Sequence, residues 1–479
     1  MALPDAVLAE SVMTGHDRGM HEWTSATEEL ASKVISYAKS RIHLDPVPLD
    51  RPRTLPELQS AVGETVTAEG IGGDRALRLF ADVLAPACIS IDHPRYFSFI
   101  PCAPTPASTL FDLVVSASSL YGGSWLEGAG AVYAENQALR WLADLAGFPP
   151  EAGGVFVQGG TLANVSALIT ARHSAREQLV SAGTGGEEPA RWAIAAGAEA
   201  HSSITSAAAA MDVDLLAVEP DSEGRLTGAA LEATLGAERR SERPRRPFAV
   251  VATAGTTNLG VVDDLAGVSR VAGREGLWVH VDGAYGAAAM AAPSARHLFA
   301  GIEQADSFSV DPHKWLFAPF DCAALLYREP AKARSAHAQH ASYLEPLQAA
   351  GDWSPSDYAL HLTRRARGLP FWFSLAVHGT RAYASAIERT LEVARYAAEQ
   401  VRRHPLLELV VEPQLSVVAF RRLGWSSRDY HAWSAELLES GVAFVVPTTH
   451  SREVVLRLAV VNPRSSEDDI DVVLDSLGP

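Results

Sequence analysis

Cysteine is scarce in this chain. Cys88, Cys102 and Cys322 are the only three in 479 residues, and their spacing offers neither an even-numbered disulfide framework nor a set of metal ligands. A disulfide-stapled secreted domain is thereby excluded, a reducing cytoplasm is the expected compartment, and no metal is expected. Basic blocks are missing as well. The net charge is −17, and the run from Arg239 to Arg246 is interrupted by Ser, Glu and Pro, so it reads as a solvated loop and no nucleic acid or anionic membrane is expected as a partner. No stretch is long and apolar enough to span a bilayer, and the opening MALPDAVLAESVMTGHDRGMHEW lacks the basic start and unbroken apolar segment of an export signal. Internal repeats and low-complexity segments are absent too.

Apolar material is plentiful, at 47% of residues. The length exceeds what one hydrophobic core serves, which predicts a large domain and at least one smaller one. From Trp23 to His43, Leu30, Val34, Ile35, Tyr37 and Ile42 recur at helical spacing, and the proline-broken DPVPLDRPRTLPEL that follows reads as an extended arm suited to packing on another surface. A helical pattern from Asp74 to Leu84 leads to the aromatic loop around His93 to Phe97; Pro106 to Leu120 reads as a buried helix and Glu127 to Leu145 as another. Near the C-terminus the chain reads as helical from about Arg364 to Arg403. Strand-like runs then follow at Leu409 to Glu412, Ser416 to Phe420, Val442 to Val446 and Val454 to Val461, with a helix from Ser426 to Ser440.

Between these flanks, apolar runs alternate with helical patterns. The runs are Gly153 to Val157, Trp192 to Ala196, Leu215 to Val218, Phe248 to Thr253, Leu277 to Val281, Ser307 to Val310 and Ala323 to Tyr327. Such alternation predicts a mostly parallel sheet covered by helices, with functional residues gathered at the strand ends. The first run ends in Gln158-Gly159-Gly160-Thr161 before a helix, an arrangement in which main-chain N–H groups and a hydroxyl can cradle a phosphate. His201, Thr257, Asp282 and Lys314 each follow another run. Lys314, between an apolar strand and Trp315, is expected to be a desolvated amine, hence a nucleophile towards carbonyls. Singly, each has an ordinary structural explanation; together they supply what pyridoxal 5′-phosphate needs.

The segments FVQGGTLANVSAL, GAEAHSS, TAGTTNLG, HVDGAYG and ADSFSVDPHKWLFAPFDCAALLY, in this order, resemble the signatures of the group II pyridoxal-phosphate decarboxylases, the relatives of aromatic-L-amino-acid decarboxylase. The resemblance runs from about Trp23 to the C-terminus. It implies an α/β architecture of fold type I, aspartate-aminotransferase-like. An N-terminal helical dimerisation arm (1–90) would precede a large domain on a mostly parallel seven-stranded sheet (91–365), and a linking helix would lead to a small C-terminal α+β domain (366–479). It also implies a homodimer with the active site at the subunit interface. By the same resemblance Lys314 would carry the cofactor's aldehyde, Asp282 would pair with its ring nitrogen, and His201 and Ala284 would flank the ring. Gly160, Thr161 and Asp311 would hold the phosphate, while Thr257 and His313 would line the site. Asp311 departs from the asparagine of the animal relatives, placing a carboxylate beside a phosphate.

Tyr343 stands where these decarboxylases keep a tyrosine that protonates the substrate after carbon dioxide loss; relatives with phenylalanine there make aldehydes oxidatively. Simple decarboxylation of an L-amino acid to an amine is therefore expected. Phe97, Phe99, Tyr121, Trp125 and Phe320 suggest an aromatic side chain in the pocket, and the resemblance implies that the Tyr121 segment comes from the partner subunit. Cys102, where a threonine is usual, and Gly123, where a phenylalanine is usual, point to a roomier site. Phe99, Cys102, Tyr121 and Phe320 are the expected substrate contacts. Aromatic amino acids come first as substrates and acidic or diamino acids second, with an oxidative aldehyde synthase as the alternative reaction.

Overall fold

The structure, a computed structural model, describes residues 19–182, 189, 191–339, 342 and 353–478. The described residues of Met1–Asp45 and Pro52–Cys88 form one compact unit. In it α1 (Ser25–Ile42) follows the predicted helix closely, opened by a reciprocal cap between Thr24 and Thr27. The proline-broken stretch is not wholly extended. Thr54 and Glu57 form a capping box that starts α2 (Leu55–Val62), because a side-chain acceptor and a returning carboxylate satisfy N–H groups the first turn leaves open. Lys33 of α1 reaches Asp74 of α3 (Gly73–Leu79) at 2.9 Å.

Pro46–Arg51 and Ile89–Pro479 make up the second unit, built on two sheets. All seven runs read as strands are strands: β1 (Gly153–Val157), β2 (Trp192–Gly197), β3 (Asp214–Val218), β4 (Arg246–Thr253), β5 (Trp278–Asp282), β6 (Ser307–Val310) and β7 (Ala323–Tyr327). Their order is β1-β7-β6-β5-β4-β2-β3, with β7 antiparallel to both neighbours and the other pairings parallel. Period-two alternation sends Ala249 and Val251 to one face and Val250 and Ala252 to the other, and both faces are covered. The helix after β1, α6 in chain order (Gly160–Ser181), lies across β4 to β7.

Within this unit two α-helices precede it: α4 (Pro106–Ala117) and α5 (Trp125–Leu145). Expected to be buried, α4 instead leaves Leu110, Leu113 and Val114 about half exposed, at 50%, 49% and 48%, because only one of its faces meets the rest of the chain. Around the sheet lie α7 (Ser202–Ala210), α8 (Gly228–Arg239), α9 (Leu265–Glu275) and α10 (Pro330–His337). The single helix expected over Arg364 to Arg403 is two, α11 (Leu369–His378) and α12 (Thr380–Arg403), separated by Gly379 at φ 74°, a left-handed conformation that ends an α-helix. Ahead of α11, Arg364 forks onto Glu135 of α5 at 2.8 and 2.9 Å in a buried ion pair.

The small sheet runs β10-β11-β9-β8, from β8 (Leu407–Leu409), β9 (Val417–Arg422), β10 (Thr448–His450) and β11 (Glu453–Ala459), and packs on α12, α13 (Ser427–Glu439) and α14 (Glu467–Asp475). Val442 to Val446 is not one of its strands: Phe444 makes only an isolated parallel bridge to Tyr96.

Burial also suppresses the charged form of several histidines. His93 and His337 have lowered pKa values, and His361, which donates to the Pro355 carbonyl at 3.2 Å, falls to about 4. The unfolded chain takes protons at the ordinary imidazole value near 6.5 while the folded chain refuses them, so stability is intact above that value and is lost as the pH falls towards 4. Denaturant midpoints measured from pH 7 to pH 4.5 should fall, and His361→Gln should flatten part of that slope; a slope unaltered by the substitution would contradict the assignment.

Candidate active site

Loops leaving the C-terminal ends of β1, β2, β4, β5 and β6 meet around one cavity of about 400 Å³. After β1, Gly159 and Gly160 turn the chain into α6. A Cβ at Gly160 would lie 3.1 Å from both the Ala284 Cβ and Asp311 Oδ2, so glycine keeps this turn open. The Gly160 N–H donates to Asp311 Oδ2 at 3.2 Å. Thr161 lines the same wall.

After β6, Asp311 and Lys314 bend back on each other. The Lys314 Nζ lies 3.0 Å from Asp311 Oδ2, and His313 Nε2 is 3.6 Å from the same oxygen. Lys314 is therefore not an amine in purely apolar surroundings, as its sequence neighbours suggested; it faces a carboxylate. The other oxygen, Asp311 Oδ1, is buried without a hydrogen-bond partner among the described residues. His313 accepts the Cys322 N–H at Nδ1 (3.0 Å), and burial lowers its pKa, opposed by the nearby Asp311.

Asp282 ends β5 and is buried. Its Oδ2 accepts from Asn164 Nδ2 of α6 at 2.8 Å, and its Oδ1 accepts from the Ala284 N–H at 3.1 Å. His201 caps α7: its Nδ1 accepts the Ser203 N–H at 3.2 Å and lies 2.9 Å from Ser203 Oγ. Thr257 and Ala284 line the cavity between these groups. One further residue spans the rim. Arg457 on β11, buried and pairing with no carboxylate among the described residues, donates to the main-chain carbonyls of Thr257 and Phe99, each at 2.7 Å; burial lowers its pKa to about 10.

Every residue expected at the cofactor is on this cavity: Gly160, Thr161, His201, Thr257, Asp282, Ala284, Asp311, His313 and Lys314. Expected substrate contacts divide. Phe99 and Phe320 stand at the mouth, 61% and 55% exposed. Cys102 does not reach it: the side chain is buried, its Sγ donates to the Ala318 carbonyl at 2.9 Å, and burial pushes the thiol pKa up. Phe97 is buried in the small-domain core, and Tyr121 is tied to the Leu362 carbonyl at 3.1 Å, away from this chain's cavity. Tyr343 lies outside the described residues. Asn164, Ser203, His280 and Arg457 were not anticipated. Two of them had a signal: His280 precedes Asp282 by two on one strand face, and Ser203 follows His201 by two at a helix start.

The pyridoxal-dependent decarboxylase conserved domain matches residues 71–423. The aromatic-L-amino-acid decarboxylase of Bacillus atrophaeus is 27% identical over 440 residues, spanning 89% of this chain and 89% of that protein. The L-2,4-diaminobutyrate decarboxylase of Rhizobium meliloti (strain 1021) is 31% identical over 398 residues, spanning 81% and 78%. Among solved structures, Oryza sativa TDC with PLP and tryptamine aligns at TM-score 0.86 and 24% identity over 97% of this chain and 99% of that one, which shows a shared fold of type I. With most of its length inside that domain and its sheet in that fold, the chain belongs to the pyridoxal-dependent decarboxylases, enzymes that act on amino acids with pyridoxal 5′-phosphate as cofactor.

Proposed function

We propose that this enzyme converts an L-amino acid, aromatic in preference, to its amine and carbon dioxide. The convergence of Lys314, Asp282, His201 and the Gly160–Thr161 turn on one cavity carries this reading. These groups fit the cofactor: an open glycine turn and a hydroxyl for the phosphate, a buried carboxylate for the ring nitrogen, and a primary amine for the aldehyde. Pyridoxal 5′-phosphate, when bound, supplies the sink for the electron pair released as the carboxylate leaves.

The chain's own residues do the rest. Lys314 would hold the cofactor by its aldehyde and supply the amine that frees the product. Asp282 would keep the ring nitrogen protonated, since an opposite charge at contact distance favours the charged form by roughly 1–3 pKa units. His201 and Ala284 would flank the ring, His201 also orienting the substrate; Gly160, Thr161 and Asp311 would hold the phosphate, and Thr257 and His313 would complete the lining. Tyr343 gives the proton that replaces the carboxylate on the α-carbon. One C–C bond breaks, one C–H bond forms, and no oxidant is consumed.

Phe99, Ile100 and Phe320 at the mouth support an aromatic substrate. A diamino acid is the second reading, supported by the Rhizobium meliloti relative and by the Asp321 carboxylate on the lining, although Arg367 already pairs with it. A homodimer in the cytoplasm belongs to the same reading: the exposed Leu110, Leu113 and Val114 would be covered by a second copy, whose Tyr121 segment would reach this cavity, and three free cysteines suit a reducing compartment.

A screen of the proteinogenic amino acids, DOPA and 2,4-diaminobutyrate should yield carbon dioxide and amine from aromatic substrates without stoichiometric hydrogen peroxide, and Lys314→Ala should lose the cofactor absorbance while staying folded. Peroxide equal to carbon dioxide would replace this reading with the oxidative one. Tyr343→Phe should still take up cofactor and substrate but lose amine in favour of aldehyde; unchanged amine would leave Tyr343 without its role. Because Asp311 puts a carboxylate beside the phosphate, Asp311→Asn should tighten cofactor binding by about tenfold in equilibrium titration. Weaker binding would show instead that the carboxylate organises the site.

A further inference from the structure

Behind the cavity wall runs a line of hydrogen bonds that the roles above do not use. Trp278 Nε1 donates to Ser307 Oγ at 2.9 Å, and Ser307 Oγ lies 2.9 Å from His280 Nδ1. His280 Nε2 lies 2.9 Å from Asn164 Oδ1. There the line branches: Asn164 Nδ2 reaches Asp282 Oδ2 at 2.8 Å and Ser203 Oγ at 2.9 Å, and Ser203 Oγ continues to His201 Nδ1 at 2.9 Å. Trp278, Ser307, His280, Asn164, Ser203 and Asp282 are all buried, so no solvent competes for these bonds.

Two members fix the direction. An indole N–H can only donate, so Ser307 Oγ accepts from Trp278 and keeps its own proton available for His280 Nδ1. Burial holds the His280 pKa to about 4, leaving the ring neutral with its single proton on Nε2, aimed at the Asn164 carbonyl oxygen. A carboxylate can only accept, which requires the same amide orientation from the other end. Ser203, accepting from Asn164, then has its hydroxyl proton free for His201 Nδ1. That nitrogen also receives the Ser203 main-chain N–H, so a neutral His201 carries its proton on Nε2.

We infer that Asn164 is the positioning residue of this site, the branch point of a one-way donor relay from Trp278 that orients the Asp282 carboxylate and, together with the Ser203 main-chain N–H, holds His201 as the Nε2–H form. A ring N–H on the side away from Ser203 is then offered to the cavity, where it matches the α-carboxylate of an amino acid. The inference rests on the proposed function only in taking Asp282 and His201 as neighbours of cofactor and substrate. The relay itself is a property of the chain.

The test uses the full chain with ¹⁵N-labelled histidine, read first without and then with pyridoxal 5′-phosphate, with His201→Gln and His280→Gln assigning the two rings. Asn164→Leu removes acceptor and donor together. His280 should lose its single-tautomer pattern, the His201 resonances should shift, and in the loaded enzyme kcat should fall by at least about tenfold while KM moves less than about threefold. Asn164→Asp is nearly isosteric and keeps the acceptor facing His280 while abolishing both donations. His280 should retain its Nε2 proton, the His201 resonances should change, and kcat should fall. Should Asn164→Leu fail to fold, Asn164→Asp decides alone. Wild-type His201 resonances in either folded variant, or an unchanged kcat, overturn the inference. If wild-type protein takes up no cofactor, the proposed function fails while the ring resonances still judge the relay.

Discussion

A carboxylate at the closed end of a buried strand must be given donors or give up its charge. Asp282 is such a carboxylate, and its donors come from separate pieces of chain: the Asn164 amide on α6, the Ala284 main chain after β5 and, more weakly at 3.5 Å, the Ser309 hydroxyl on β6. That requirement reaches far from the carboxylate. It needs α6 lying over the sheet with the Asn164 side chain turned inwards, and β6 beside β5 in the register that pairs Asp282 with Ser309. The Gly159–Gly160 turn matters for the same reason, because it sets where α6 begins.

The molecule meets the cost of buried charge in three ways. Asp282 is surrounded by neutral donors. Glu135 is matched by Arg364 in a fork and also accepts the Gly368 N–H at 2.8 Å, which fixes the segment entering α11. Arg457 is met, among the described residues, by main-chain carbonyls. Removing one partner of the Glu135–Arg364 pair would leave a stranded charge, the situation that costs most in a protein interior, roughly 3–5 kcal/mol. A neutral-donor solution suits the active site better, since it leaves the Asp282 charge available to the cofactor.

Much of this was legible in the sequence because parallel strands buried on both faces must be apolar throughout. The seven runs of the large sheet therefore stood out, and the polar residues at their ends, His201, Asp282 and Lys314, stood out by contrast. What the pattern hid has physical causes. The apolar period continues through Gly379, so one helix was expected where a left-handed residue divides two. The strands of the small sheet are as short as three residues, below the length at which alternation is readable. A helix apolar enough to be buried can still leave one face open, as α4 does. Cys102 and Phe97 lie beside the site in sequence but point into other packing, and Asn164 and His280 are ordinary residues until the fold brings them together. Nothing local announces a hydrogen bond between a helix and a strand more than a hundred residues apart.

The clasp made by Arg457 has a consequence for how such a site can change over generations. It holds the rim through the peptide carbonyls of Phe99 and Thr257. Every amino acid carries that carbonyl, so the clasp itself does not depend on the side chain at position 99, although the positive φ of Phe99, 51°, narrows the choice of replacements there. The mouth is a fixed frame with exchangeable fittings, a construction that would let one scaffold accept new substrates by point changes at the entrance while the catalytic floor stays as it was.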